Sequence, residues 1–181
     1  MDQTFQVFSE CVLFRHLKRR ETEALFTRVR IRDFAASETI FVIDSPADSM
    51  MIVLRGMVQI SVTSPKGQPL LPILLNQSAS LRTMGIGRKI VPGEIFGEIA
   101  LLDNSARLAD AIAITDCSLA IIDRHDMLAF LEQNPGAWQD IVSVLRERLR
   151  HTPVGLGFRR QYANLTEIAY TLPLPCLQDT L

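Results

Sequence analysis

Apolar and polar positions alternate with different periods along the chain, and each change of period predicts a different element. Between residues 9 and 29, Val12, Leu13, Leu17, Leu25, Phe26 and Val29 fall near helical spacing, with charges between them. One helix over 9–29 fits this pattern, and so do two short helices joined near Lys18. From Ile31 the signal turns to strand. Val58, Ile60 and Val62 alternate with Gln59, Ser61 and Thr63, the period of a half-buried strand. Ser64-Pro65-Lys66-Gly67 then reads as a tight turn with proline at its second position, and 68–75 as the returning strand. Ala111–Thr115 and Ser118–Asp123 make a later pair of strands, broken at Asp116-Cys117. Short strands with turns at close intervals predict a sandwich or barrel.

Helical spacing returns at the end of the last strand. Asp123 is placed to cap a helix over 124–133, with Asp126 three residues on to bond back to the cap. Asn134-Pro135-Gly136 interrupts, and 137–150 forms a second helix. Trp138, Ile141, Val142, Leu145 and Leu149 give it an apolar stripe. Pro153, Gly155 and Gly157 oppose its continuation, although 161–170 can form one more short helix. The organisation expected is a helical segment over 1–30, a β region over 31–123, helices over 124–152 and an irregular tail over 153–181.

Composition narrows the class. At 181 residues the chain fits one domain with a well-formed core, and its 48% hydrophobic content argues against global disorder. A net charge of −1 gives no overall field that would advertise nucleic acid or membrane. Basic residues do cluster, with Arg15, Lys18, Arg19, Arg20, Arg28, Arg30 and Arg32 near one end. Arg146, Arg148, Arg150, Arg159 and Arg160 crowd near the other; both runs read as solvated helix faces. Cys11, Cys117 and Cys176 are far apart and lack metal spacing, so reduced thiols and no disulfide framework are expected. No run has the 18 continuous apolar residues of a membrane span, and Met-Asp-Gln-Thr-Phe is no signal pattern. A cytoplasmic protein with no membrane partner is therefore expected.

Candidate chemistry concentrates in residues 93–111. A Phe-Gly-Glu turn between glycines runs into a short apolar helical turn, and Arg107 follows Glu98 by nine residues. Glycine lets backbone approach a ligand closely. Amides that open a short helix attract phosphate, and an arginine supplies a forked, permanently charged donor. Backbone N–H groups near Leu108 and Ala109 complete an anion cradle. Glu98 is ill suited to a phosphate but well suited to accept from a sugar hydroxyl. Taken alone, Glu98 also fits a solvated loop carboxylate, Arg107 a surface ion pair and Gly97 a plain positive-φ position.

Phe96, Gly97, Glu98, Ile99, Ala100 and Leu101, followed by Arg107, Leu108 and Ala109, resemble the phosphate-binding cassette of the cyclic-nucleotide-binding domain family. That family includes the cyclic-AMP receptor protein and fumarate–nitrate regulator superfamily, and the likeness extends over roughly residues 10–152. The resemblance implies a mainly β fold, an eight-stranded antiparallel jelly roll with flanking helices. It implies a non-catalytic sensor of cAMP or cGMP that needs no cofactor or metal. The implied ligand-binding residues are Gly97, Glu98, Ile99, Ala100, Arg107, Leu108, Ala109, Asp110 and Thr152. The 137–150 helix would line the pocket and pair with its twin in a homodimer.

The chain departs from the family at several positions. Residues 76–90 read as an insertion, and Gly85-Ile86-Gly87 is too weak a signal for a nucleotide loop. Asp44 and Ala47 stand where glycines are common. Leu108 lacks the hydroxyl that the cyclic-AMP receptor protein carries after its arginine. Thr152 matches a threonine that reaches the adenine, but Pro153 replaces the serine after it. Asp110 stands where a small or hydroxyl residue is usual; it can turn outward, pair with Arg107, or accept from guanine. The residues after Thr152 are too few and too interrupted for a helix-turn-helix, so no specific DNA binding by this chain alone is expected. A second reading keeps the jelly roll as an interaction scaffold without nucleotide. A metal enzyme on a related barrel needs clustered ligands, but His16, His125 and His151 lie outside the strand region. An iron–sulfur sensor needs more cysteines near the N-terminus than Cys11.

Overall fold

The computed structural model describes residues 3–61, 89–98, 106–107 and 109–150, with side chains given up to residue 144. Among these residues the fold is mainly β with flanking helices. Helix α1 (Gln3–Ser9) leads through a 3-10 turn (Val12–Phe14) to α2 (Arg19–Phe26). The strands are β1 (Arg30–Phe34), β2 (Thr39–Phe41), β3 (Ser49–Arg55) and β4 (Val58–Ser61), then β5 (Lys89–Ile90), β6 (Ile95–Phe96), β7 (Asp110–Ala113) and β8 (Cys117–Asp123). Helices α3 (Arg124–Gln133) and α4 (Pro135–Arg150) follow. Two antiparallel sheets result, ordered β1-β8-β3-β6 and β2-β7-β4-β5.

Strand β3 explains the layering. Its run Ser49-Met-Met-Ile-Val-Leu54 is buried at every position because both faces are covered. Met50, Ile52 and Leu54 join Ala120 and Ile122 against the helices, where Phe8, Leu13, Leu25, Met127, Phe130 and Ile141 complete one core. Met51 and Val53 face the other way, and meet Val58, Ile90, Ala111 and Ala113 of the second sheet in the other core. The period-two alternation of side chains divides one strand between two cores.

Several expectations from the sequence are corrected. Of the two alternatives over 9–29, the single helix is not formed; the chain breaks near Lys18, with a 3-10 turn before it and α2 after it, and α1 precedes both. A continuous helix would hold Phe8 and Phe26 about 27 Å apart. The chain folds back so that their ring centroids lie 5.0 Å apart, with Phe8 also 4.8 Å from Phe14. The late strands β7 and β8 do not pair with each other. They belong to different sheets, and the chain crosses between them where Ala36 N–H donates to Asp116 Oδ1 and Met57 N–H to Thr115 Oγ1. Residues 89–90, expected at the end of an insertion, form β5 opposite Val58–Gln59. Asp123 makes no side-chain cap on α3. It pairs with Arg30, while Asp126 pairs with Arg28 at 3.5 Å, and the first helical amide donates to Asp48 O at 2.7 Å. Helix α4 begins at Pro135, because proline suits a first helical position and the Asn134 carbonyl accepts from Ala137 and Trp138. The turn at 64–67, the strand over 68–75, the remainder of the 76–90 insertion and the tail over 153–181 lie outside the described residues. So do the side chains of Leu145 and Leu149.

Candidate functional site

The site begins where β6 ends. Phe96 is buried between the sheets, its ring centroid 5.9 Å from that of Phe41. Gly97 then turns the chain at φ 78°, a left-handed value that glycine adopts at little cost. A Cβ at this glycine would lie 2.6 Å from Arg107 Nη1, so here glycine also makes room for a side chain. Glu98 follows and is 1% exposed, which excludes the solvated-loop alternative.

Arg107 is 3% exposed, so it is not a surface ion pair. Its Nη1 donates to Gly97 O at 3.0 Å and its Nη2 to Ser49 Oγ at 3.2 Å. The guanidinium carbon lies 4.3 Å from the centroid of the Phe41 ring, in cation–π range. Nε is buried with no hydrogen-bond partner among the described residues. Burial lowers the pKa of this arginine, and the nearby carboxylates of Asp48 and Glu98 act in the opposite direction. The group remains a cation, since arginine starts far above neutral pH. Arg107, Asp48, Ser49, Phe41, Pro46 and Met51 lie on the wall of a cavity of about 480 Å³, a volume within the range of small-ligand sites.

The loop between β2 and β3 closes the site from the other side. Asp44 N–H donates to Arg107 O at 2.9 Å, and Arg107 N–H to Ser45 O at 2.9 Å. Asp44 takes φ 64°, as aspartate tolerates, whereas Ala47 keeps an ordinary negative φ. The carboxylate of Asp110 also meets this loop: its Oδ1 accepts from Ile43 N–H at 2.8 Å. Gly97 and Glu98 thus meet Arg107, and Asp110 bonds the loop that holds it, whereas Ala109 is buried and Ile99, Ala100, Leu108 and Thr152 lie outside the described residues.

Three contributors were absent from the sequence expectations. Ser49, Asp48 and Phe41 surround the guanidinium, yet Ser49 lies 58 positions from Arg107 and shares no local pattern with it. The available signal was the polar pair Asp48-Ser49 directly before an apolar strand. Among the described residues no three His, Cys, Asp or Glu side chains gather to hold a metal ion. No helix among them is long and apolar enough to cross a membrane.

The site thus combines a two-sheet fold with a buried arginine at a glycine turn. The cyclic nucleotide-binding domain profile matches residues 31–134, more than half of the chain, and the chain belongs to that family. It is 25% identical over 147 residues to a "CRP-like cAMP-activated global transcriptional regulator" of Mycobacterium tuberculosis, covering 81% of this chain and 59% of that protein. It is 27% identical over 160 residues to the "Cyclic AMP receptor protein" of Thermus thermophilus, covering 88% of this chain and 67% of the relative. The crystal structure of the Thermus thermophilus catabolite activator protein superposes with a TM-score of 0.64 at 24% identity, over 86% of this chain and 63% of that one. The chain therefore spans about three fifths to two thirds of the length of these relatives, and the likeness to the solved structure shows the fold.

Proposed function

We propose that this chain is a non-catalytic sensor that binds a cyclic nucleoside monophosphate, with cAMP the first candidate. The phosphate would sit against Arg107 and the Gly97 turn, and the ribose hydroxyl would donate to Glu98. The observation that carries this reading is the buried Arg107, whose Nε has no partner among the described residues while Nη1 and Nη2 are held by Gly97 and Ser49. An anion there would meet a desolvated, pre-oriented cation, the setting in which charge-assisted hydrogen bonds are strong. The strand orders support a jelly roll as the frame of this pocket. Relatives named for cAMP favour that nucleotide over cGMP.

Binding would be passed to α3 and α4, which pack against the sheet that carries Ser49. Within this reading the protein works in the cytoplasm, α4 carries a homodimer face, and operator recognition is not assigned to these 181 residues. A scaffold that binds no nucleotide is the second reading. It is favoured by Arg107 Nη1 and Nη2 already being engaged within the chain.

Thermal or urea unfolding with added nucleotide separates the two. At 100 times its dissociation constant a ligand adds about 2.7 kcal/mol. Arg107→Met should abolish that increment. Its unliganded stability should equal or exceed that of the wild type, because a buried ion replaced by a well-packed apolar side chain is often neutral or stabilising. Each protein is therefore compared with and without ligand. No stabilisation of the wild type by millimolar cAMP or cGMP would leave the scaffold reading standing.

A further inference from the structure

We propose that Asp110 is a positioning residue for Arg107, acting through the main chain of the loop between β2 and β3. The proposal rests on the anion-binding role given to Arg107 above. Asp110 opens β7, three residues after Arg107. Its Oδ1 accepts from Ile43 N–H at 2.8 Å in a part-buried contact. The next two loop residues bond the backbone of Arg107 from both sides, Asp44 N–H to Arg107 O and Arg107 N–H to Ser45 O, each at 2.9 Å. The same loop continues into Asp48 and Ser49, where Ser49 Oγ donates to Asp48 Oδ1 at 3.0 Å and accepts from Arg107 Nη2 at 3.2 Å. One loop therefore holds both the backbone and the guanidinium of the arginine, and the Asp110 carboxylate is clasped to its start.

The loop needs such a clasp. Asp44 sits at φ 64°, a left-handed conformation that costs a side-chain-bearing residue free energy unless its surroundings impose it. A carboxylate that accepts from a backbone N–H makes a stronger bond than a neutral acceptor does. Through this bond to Ile43 the aspartate serves the arginine's geometry. Displacement of about 1 Å in a binding group is enough to matter for recognition, so a side chain held through its loop is the kind on which affinity depends.

The test compares Asp110→Ala with Asp110→Asn, whose amide oxygen keeps the acceptor and drops the charge. Two readouts are taken on folded protein: amide hydrogen exchange at Ile43, Asp44 and Arg107 without ligand, and calorimetric titration with cAMP. Asp110→Ala should speed exchange at the three amides and weaken cAMP by about tenfold, the change that about 1.4 kcal/mol carries. Asp110→Asn should recover part of both losses, since its neutral acceptor makes the same bond more weakly. Should Asp110→Ala not fold, Asp110→Ser, whose hydroxyl is too short to reach Ile43, should show the same two losses. Tighter cAMP binding by Asp110→Asn would mean that the charge repels the ligand and would overturn the proposal. So would unchanged exchange in Asp110→Ala. If the wild type binds neither nucleotide, the sensor reading fails, while the exchange result alone still decides whether Asp110 holds the Arg107 loop.

Discussion

At the scale of single residues, burial sets the chemistry. Cys11 is 1% exposed at the entry to the 3-10 turn. Burial pushes its thiol up from an ordinary 9.0 to about 11, against the smaller pull of the Leu13 and Val12 amides and Arg15. The sign of the consequence follows from the charged form being the one disfavoured. Below pH 9 the thiol is protonated in both folded and unfolded chains, and its contribution is fully present. Between pH 9 and 11 the unfolded chain releases this proton while the folded chain keeps it, so stability falls. The loss amounts to about 2–3 kcal/mol over that window. Urea unfolding from pH 8 to 11 should show a steeper decline for the wild type than for Cys11→Ala. Parallel declines would mean that the thiol is not held protonated by the fold.

At the scale of elements, the glycine turn after β6 joins the sheet to the arginine, and a matched pair of substitutions separates its two roles. Gly93 and Gly97 have φ values of 85° and 78°, but a Cβ on Gly93 would meet nothing within 4 Å, whereas one on Gly97 would press on Arg107 Nη1. Alanine at either position should cost about 1–2 kcal/mol from the left-handed backbone. Only Gly97→Ala should also weaken nucleotide binding, because it displaces the guanidinium from the Gly97 carbonyl. Equal affinity in the two variants would show that the space above Gly97 is irrelevant to the site. The same scale shows what the sequence could reveal. The strand at Val58 and the helix over 124–133 were legible because their periods are local. Gly97, Glu98 and Arg107 were legible because they share one short segment. Ser49 and Phe41 were not, since they reach Arg107 from other strands. The sheet membership of β7 and β8 was hidden because strand pairing is non-local. Asp123 and Asp126 look like capping residues in sequence, but Arg28 and Arg30 draw their charges away. Asp110 could be placed beside the site from sequence, but its partner, the Ile43 amide, could not.

At the scale of the whole molecule, the first sheet lies between a helical layer and a second sheet, and the helical layer is built from both ends of the described chain. Helix α4 packs on the 3-10 turn, where a Cβ on Gly136 would lie 3.3 Å from His16 Cβ. Among the described residues a polar contact also joins the two ends there. His16 Nδ1 lies 3.0 Å from each oxygen of Asp140, whose carboxylate is largely buried while the imidazole is 68% exposed. Cys11 lies within electrostatic reach of the same carboxylate, and so does not offer it a compensating cation. Loss of a partner from a buried acceptor costs about 1–3 kcal/mol, and the exposure of His16 puts this pair at the low end because water can replace the ring. His16→Ala should therefore lower stability by about 1 kcal/mol. Asp140→Ala removes the buried charge together with its contact, and adding His16→Ala to it should cost less than His16→Ala alone. A double-mutant cycle from urea unfolding measures that difference as a coupling of about 0.5–1 kcal/mol, above the 0.3–0.5 kcal/mol within which independent sites add. Strictly additive effects would mean that the histidine and the aspartate are neighbours without an interaction. The join between α4 and the N-terminal segment would then rest on apolar packing, which includes Leu13, Phe14, Ala137 and Ile141.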